Sequence, residues 1–275
     1  MENKIEIELH AHPIGLRKYG LESIVNIAEK NNLDIIALED YNNYIFPELV
    51  TRAKELGKKY DVSFNEEVIK ISSTKDIYLL NALELMTKQR IHAITLGKSD
   101  FNENDSIHDV INKKNLTIID HPFVNATNAT RAIDDETEKF VGDLSLKYND
   151  KVAYEWNAYC ISWIWNLALG GDINKRMEKA AQAYNLPVVA DTDLHGWSKG
   201  LMKDLGKSRI KISRNDLDLN INYLIPSIEE AILKRKHENV KEYVSNLHFF
   251  NAFAVPIAKG MILDRLYPHA RGKVQ

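Results

Sequence analysis

The stretch Ile5-Glu-Ile-Glu-Leu-His-Ala-His-Pro13 carries the first decision about the fold. Apolar and charged residues alternate through Ile5, Ile7 and Leu9, which is the pattern of a strand with one buried face. The strand runs straight into His10-Ala11-His12. Side chains at i and i+2 of a strand share a face, so the two imidazoles can converge on one ion. A strand-end histidine is also common as a hydrogen-bonded structural residue. The pair therefore gains meaning only from what the rest of the chain sets beside it.

Working outward, short apolar strands alternate with helices. The spacing predicts strands at 4–9, 34–38, 67–71, 77–84, 91–96, 116–120, 152–156 and 187–191. It predicts helices at 21–31, 46–60, 105–114 and 173–185, and a mostly helical region from about 226. The charged stretch from Asp134 to Lys139 reads as a solvated helix start. This alternation argues for a parallel α/β fold, either a barrel or a doubly wound sheet.

Metal-capable side chains gather where these strands end. The first strand ends in His10 and His12, the second in Glu39-Asp40, and the strand at 77–84 in Glu84. His92 begins the strand at 91–96. The strand at 116–120 runs into Asp120-His121-Pro122, and the one at 187–191 into Asp191-Thr-Asp193-Leu-His195. In α/β barrels the C-terminal strand ends form one functional rim. Imidazole and carboxylate together suit Zn, Mn or Fe. A carboxylate such as Glu84 has two oxygens and can bridge two ions, the arrangement common in phosphoester hydrolysis. The plainer alternative is that each Asp caps the helix that follows it. Glu155 and Asn157 either line this rim or satisfy backbone groups at a strand end.

Composition sets bounds. The 275 residues are 44% hydrophobic and 27% charged, enough for a sizeable core, with a net charge of −3. That balance gives no overall basic surface for long nucleic acid. Cys160 is the single cysteine, so an intramolecular disulfide and a cysteine-rich zinc site are excluded. The first residues lack the apolar run of a secretory leader, and no run of about 18 apolar residues suggests a membrane span. A cytoplasmic location is the expectation.

The order of these pieces resembles the PHP (polymerase and histidinol phosphatase) superfamily. The stretches that carry the resemblance are ELHAHP (8–13), LDIIALEDYN (33–42), ALELMTKQRIHAITLG (82–97), LTIIDHPF (116–123), VAYEWNAY (152–159) and LPVVADTDLH (186–195). They span roughly residues 1–200. The resemblance implies a distorted seven-stranded (β/α) barrel, assigned to 1–225; residues 226–275 resemble nothing in the family, and their apolar spacing suits C-terminal helices packed on the barrel or on a partner chain. The resemblance also implies two divalent ions, or three if Asp40 or Tyr41 completes a further site. His10, His12, Glu84 and Asp193 would hold one ion, and Glu84, His92 and His121 a second. His195 would serve a third ion or meet the substrate phosphate.

The family pattern usually has a histidine where Tyr41 stands, and a carboxylate or imidazole in the loop after His-x-His. Here that loop is Pro13-Ile-Gly-Leu-Arg-Lys-Tyr19, so Arg17 and Lys18 either bind phosphate or are solvated loop charges. Trp197 is a candidate for the pocket wall, and Lys199 a candidate phosphate contact. The expected activity is hydrolysis of a small phosphomonoester or nucleotide-like phosphoester by a metal-activated water. His195 or Asp193 would manage the proton, and Arg17 would steady the phosphate. A short oligonucleotide is an alternative substrate. A degenerate barrel that binds metal or ligand without turnover is the alternative function.

Overall fold

The computed structural model describes residues 3–12, 20–39, 45–123, 135–160, 172–195 and 201–249. Its strands are β1 (Lys4–His12), β2 (Ile35–Glu39), β3 (Asp61–Phe64), β4 (Val68–Ser72), β5 (Asp76–Met86), β6 (His92–Leu96), β7 (Thr117–Ile119), β8 (Val152–Asn157), β9 (Val188–Asp191), β10 (Leu194–His195), β11 (Arg209–Ser213) and β12 (His237–Val240). Its helices are α1 (Leu21–Lys30), α2 (Ile45–Leu56), α3 (Ile107–Lys113), α4 (Asp135–Lys147), α5 (Ile173–Tyr184), α6 (Leu224–Leu233) and α7 (Asn246–Phe249).

The main path of the sheet is β12-β11-β1-β2-β5-β6-β7-β8-β9, with β3 and β4 branching from β5 and β10 beside β1. β9 lies against β1 and β11, so the sheet nearly closes into a distorted barrel. Pairing is parallel for β1–β2, β2–β5, β7–β8 and β8–β9. It is antiparallel for β5–β6 and β6–β7, where strand–helix alternation alone argued for parallel strands and where the barrel is distorted. The cause is a tight turn: Thr87 N–H donates to Ile91 O at 3.0 Å, and Arg90 takes φ 58°. A connection that short can only reverse the chain.

The reversal has a functional result. His92 begins an antiparallel strand, so it sits at the same barrel end as Glu84 near the close of β5. β3, β10, β11 and β12 add to the eight strands read from the sequence, so the twelve described strands exceed the seven of the expected barrel. β12 falls in the region expected to be helical and pairs with β11.

The barrel interior is apolar. Ile5, Ile7, Leu9, Ile35, Ala37, Leu80, Ala82, Ile94, Ile118, Ala153 and Val189 pack into one cluster, joined from α6 by Leu224, Ile225, Ile228, Ala231 and Ile232. Many of these residues are early in their parallel strands, so α6 closes the barrel floor and leaves the C-terminal strand ends to the polar residues. A second cluster packs α1 and α2 on the outside of β2, β4 and β5. A third holds α3, α4 and α5 against β7 and β8.

A regular β1 would send His10 and His12 to the face opposite Ile5, Ile7 and Leu9. Instead, partners step from Glu8↔Ile36 to Ala11↔Leu38, three steps on β1 against two on β2. This β-bulge inserts one residue and flips the alternation. Leu9 stays in the core, and the next side chain, His10, also points inward.

Candidate metal centre

Six carboxylates and four imidazoles converge at the rim. β1 brings His10 and His12, β2 Glu39, β5 Glu84 and β6 His92. The residues after β7 bring Asp120 and His121, β8 brings Glu155, and the end of β9 with its following turn brings Asp191 and Asp193. All six carboxylate residues are buried, as are His10 and His12. Asp193 (φ 53°) and His121 (φ 27°) are both in the left-handed region, a costly backbone state for a side-chain-bearing residue.

The first group of donors surrounds one point. His10 Nε2 is 3.2 Å from His12 Nε2, 3.2 Å from Glu39 Oε2, 3.4 Å from Asp193 Oδ1 and 3.8 Å from Glu84 Oε2. His12 Nε2 is 3.4 Å from both Glu84 Oε2 and Asp193 Oδ1. Ligand atoms about 2.0–2.1 Å from a tetrahedral ion sit about 3.3 Å apart, so this spacing is that of a coordination polyhedron. The second group is Glu84, His92, Asp120 and His121. Here Glu84 Oε1 is 2.6 Å from His92 Nδ1, and Asp120 Oδ2 is 2.9 Å from His121 Nε2. Glu84 thus presents one oxygen to each group.

A layer beneath orients these donors. Glu155 Oε1 is 2.6 Å from His10 Nδ1, which leaves His10 Nε2 aimed at the centre. A carboxylate behind a ligating histidine fixes its tautomer and raises its basicity. Glu155 Oε2 accepts from His121 N–H at 2.9 Å and from Asn157 Nδ2 at 3.1 Å, and Asn157 Nδ2 also donates to Asp193 Oδ2 at 3.0 Å. Asn157 also serves the backbone, since its Oδ1 accepts from Tyr159 N–H at 2.8 Å.

The electrostatics fit cations. Burial alone would depress the His10 imidazolium, yet the Glu39, Asp193, Asp120 and Glu155 carboxylates outweigh it and hold its pKa well above the ordinary value. Burial pushes Glu39 well above the usual carboxylate range, opposed by His10 and reinforced by Glu84, Glu155 and Asp193. Asp120 and Asp191 are pushed up by burial and by Glu155. Glu84 goes the other way: burial would raise it, but His10, His92 and His12 hold it well below. Among the described residues, none gives a properly directed hydrogen bond to either oxygen of Glu39 or Asp191, although the two residues are 1% and 0% exposed. Buried anions without donors are costly, and divalent cations would satisfy them. The donor set fits divalent metal binding.

Of the residues singled out in the sequence, His10, His12, Glu84, His92, His121 and Asp193 come together. His195 pairs its backbone with His12, but its side chain lies outside the described residues. So do Arg17, Lys18, Asp40, Tyr41, Trp197 and Lys199. The sequence reading centred on Asp40 after β2, whereas Glu39 is the residue of that pair described in the site. It gave no ligand role to Asp120 or Asp191. The available signal was a carboxylate closing an otherwise fully buried strand, as in Ile35–Glu39 and Val188–Asp191.

No family model matches the chain, and no curated protein matches it. Solved structures do. PsfC from Pseudomonas syringae PB-5123 superposes with a TM-score of 0.55 at 12% identity, covering 94% of this chain and 99% of that one. The lesion-specific endonuclease PfuEndoQ from Pyrococcus furiosus gives 0.52 at 13% identity. Endonuclease Q in complex with a 27-mer duplex bearing an abasic lesion at the active site gives 0.51 at 14% identity. In both endonuclease comparisons 86% of this chain is covered, and it spans 58% of the endonuclease. At these identities the likeness is one of fold, and together with the nearly closed sheet it bears out the distorted (β/α) barrel expected from the sequence.

Proposed function

We propose that the chain is a metal-dependent hydrolase of phosphoester bonds, acting on a small phosphomonoester or a nucleotide-like phosphoester. The observation that carries the reading is Glu84, a buried carboxylate with one oxygen toward His10 and His12 and the other toward His92. His10, His12, Glu84 and Asp193, with Glu39, would hold one ion, and Glu84, His92 and His121, with Asp120, a second. Zn, Mn or Fe suits this mixture of imidazole and carboxylate. When bound, the ions would supply Lewis acidity to a phosphate oxygen and to a water. The protein's own part is to hold the donors in place. Glu155 keeps the His10 ring oriented, Asn157 steadies both Glu155 and Asp193, and Asp193 would be a second candidate, beside His195, to take the proton. His195 and Arg17 remain proposed as proton carrier and phosphate contact.

Two features bear on substrate size. A net charge of −3 offers no general attraction to a nucleic-acid backbone, which favours small phosphorylated substrates. The shared fold with Endonuclease Q keeps a short oligonucleotide as the second reading. The test is a panel of aryl phosphomonoesters and diesters, mononucleotides and short oligonucleotides, each assayed with Mn2+, Zn2+ and Fe2+. Turnover that disappears in a His10→Ala, Glu84→Ala double variant supports the proposal. Full activity in that variant refutes it, and tight metal binding with no turnover on any substrate points to a binding protein instead.

A further inference from the structure

Glu8 is a buried carboxylate outside the metal-binding groups. It is 0% exposed, and among the described residues no cation is a hydrogen-bond partner. Three backbone N–H groups converge on it instead. Its Oε1 accepts from His10 at 3.2 Å and from Thr192 at 2.9 Å, and its Oε2 accepts from Gly206 at 3.0 Å. Each donor marks a place where the chain departs from regular geometry. The His10 N–H lies within the β1 bulge. Thr192 precedes Asp193 in its left-handed turn, and Gly206 takes φ 71°. Thr192 is pinned a second time, since its Oγ1 donates to Ser208 O at 3.1 Å and accepts from Ser208 N–H at 3.2 Å.

From this geometry we infer that Glu8 is a positioning residue for the metal centre. It locks the β1 bulge and the turn after β9 together, so that His10, His12 and Asp193 face one point. The inference rests on the metal-centre reading above. A carboxylate is the group that suits the place, because both oxygens must accept. A glutamine would turn an N–H2 toward the N–H of Gly206 or toward those of His10 and Thr192, donor against donor. Glu6 offers the control. It is on the same strand two residues earlier, is nearly as buried, and pairs with Arg209 and Lys211 away from the centre.

The experiment is a Co2+ titration read by visible d–d absorption on wild type, Glu8→Gln and Glu6→Gln, with folding checked by circular dichroism and Tm. Groups behind metal ligands commonly alter affinity by about 10–100-fold. The expected result is a loss of that size in Glu8→Gln with a changed spectrum, and a lowered Tm with unchanged Co2+ binding in Glu6→Gln. If Glu8→Gln does not fold, Glu8→Asp, one methylene shorter and still anionic, carries the same comparison. A folded Glu8 variant with wild-type affinity and spectrum overturns the inference. A wild-type chain that takes up no Co2+ overturns the metal-centre reading and the inference with it.

Discussion

Glu155→Gln tests the layer beneath the metal centre through the response to metal rather than through absolute stability. Glu155 is 1% exposed. Burial would raise its pKa, but hydrogen bonds with Asp120 and His10 hold it well below the usual range. One oxygen faces His10 Nδ1 at 2.6 Å, while the other accepts from His121 N–H and Asn157. A glutamine cannot face donors on both sides, so the His10 ring loses its anchor. Because the pKa of Glu155 is held low, its charged form also stabilises the metal-free fold, so the variant should lose some basal Tm, and the metal-induced rise is the readout. With metal affinity reduced about 10–100-fold, the stabilisation from ligand falls accordingly. At a free metal concentration of about 100 Kd, wild type gains about 2.7 kcal/mol, while the variant gains about 0.4–1.4 kcal/mol. At about 2 °C per kcal/mol for a chain of this length, the metal-induced rise in Tm drops from about 5 °C to about 1–3 °C. Differential scanning fluorimetry with and without Zn2+ or Mn2+ reads this directly. An unchanged metal response in Glu155→Gln would refute the orienting role of Glu155.

Other perturbations test the scaffold. On α6, Glu229 is 4% exposed, and burial pushes its pKa from 4.5 up to about 7, only partly opposed by Asn115 and Lys114. Its stabilising protonated form is fully present below about pH 4.5 and is lost as pH rises through about 7, at a cost of about 3 kcal/mol. Urea midpoints at pH 5 and pH 8 should therefore show Glu229→Gln gaining on wild type as pH rises; a constant gap would contradict this. Gly206→Ala forces a left-handed alanine whose Cβ would collide with the Leu33 side chain, which is buried at 0% exposure. A loss of about 2–4 kcal/mol is expected by chemical denaturation, and a loss below about 0.5 kcal/mol would be inconsistent with the close packing described.

The sequence showed the ends of strands better than their directions. Ile35–Glu39 and Val188–Asp191 are legible as apolar runs closing on a carboxylate, and they end at the rim as expected. The β1 bulge has no signature in Ile5–His12. A strand read with strict alternation puts His10 and His12 on the face away from Leu9, and only the register with β2 shows why they turn inward. Direction was equally hidden at β6, where a short turn after Met86, rather than the strand's own residues, sets the antiparallel course. Arg209–Ser213 alternates Ile210 and Ile212 with polar residues, a strand signal that is present in the sequence. His237–Val240 has only Val240 as an apolar residue and joins the sheet through backbone pairing with β11.

The layer beneath the metal centre was the least legible part. Glu155 and Asn157 could be read equally as site residues or as backbone partners, and they do both kinds of work. Sequence spacing says which residues share a strand face. It does not say that Glu155 reaches the far side of the His10 ring, because that contact spans 145 positions.

The most direct test of the account is elemental analysis of the chain purified without added metal or chelator. The account predicts about two equivalents of Zn, Mn or Fe per chain, falling to about one when His121 is replaced by Ala, with the remaining ion lost when His10 is replaced as well. No bound metal, together with no uptake on titration with Zn2+, Mn2+ or Fe2+, would contradict it.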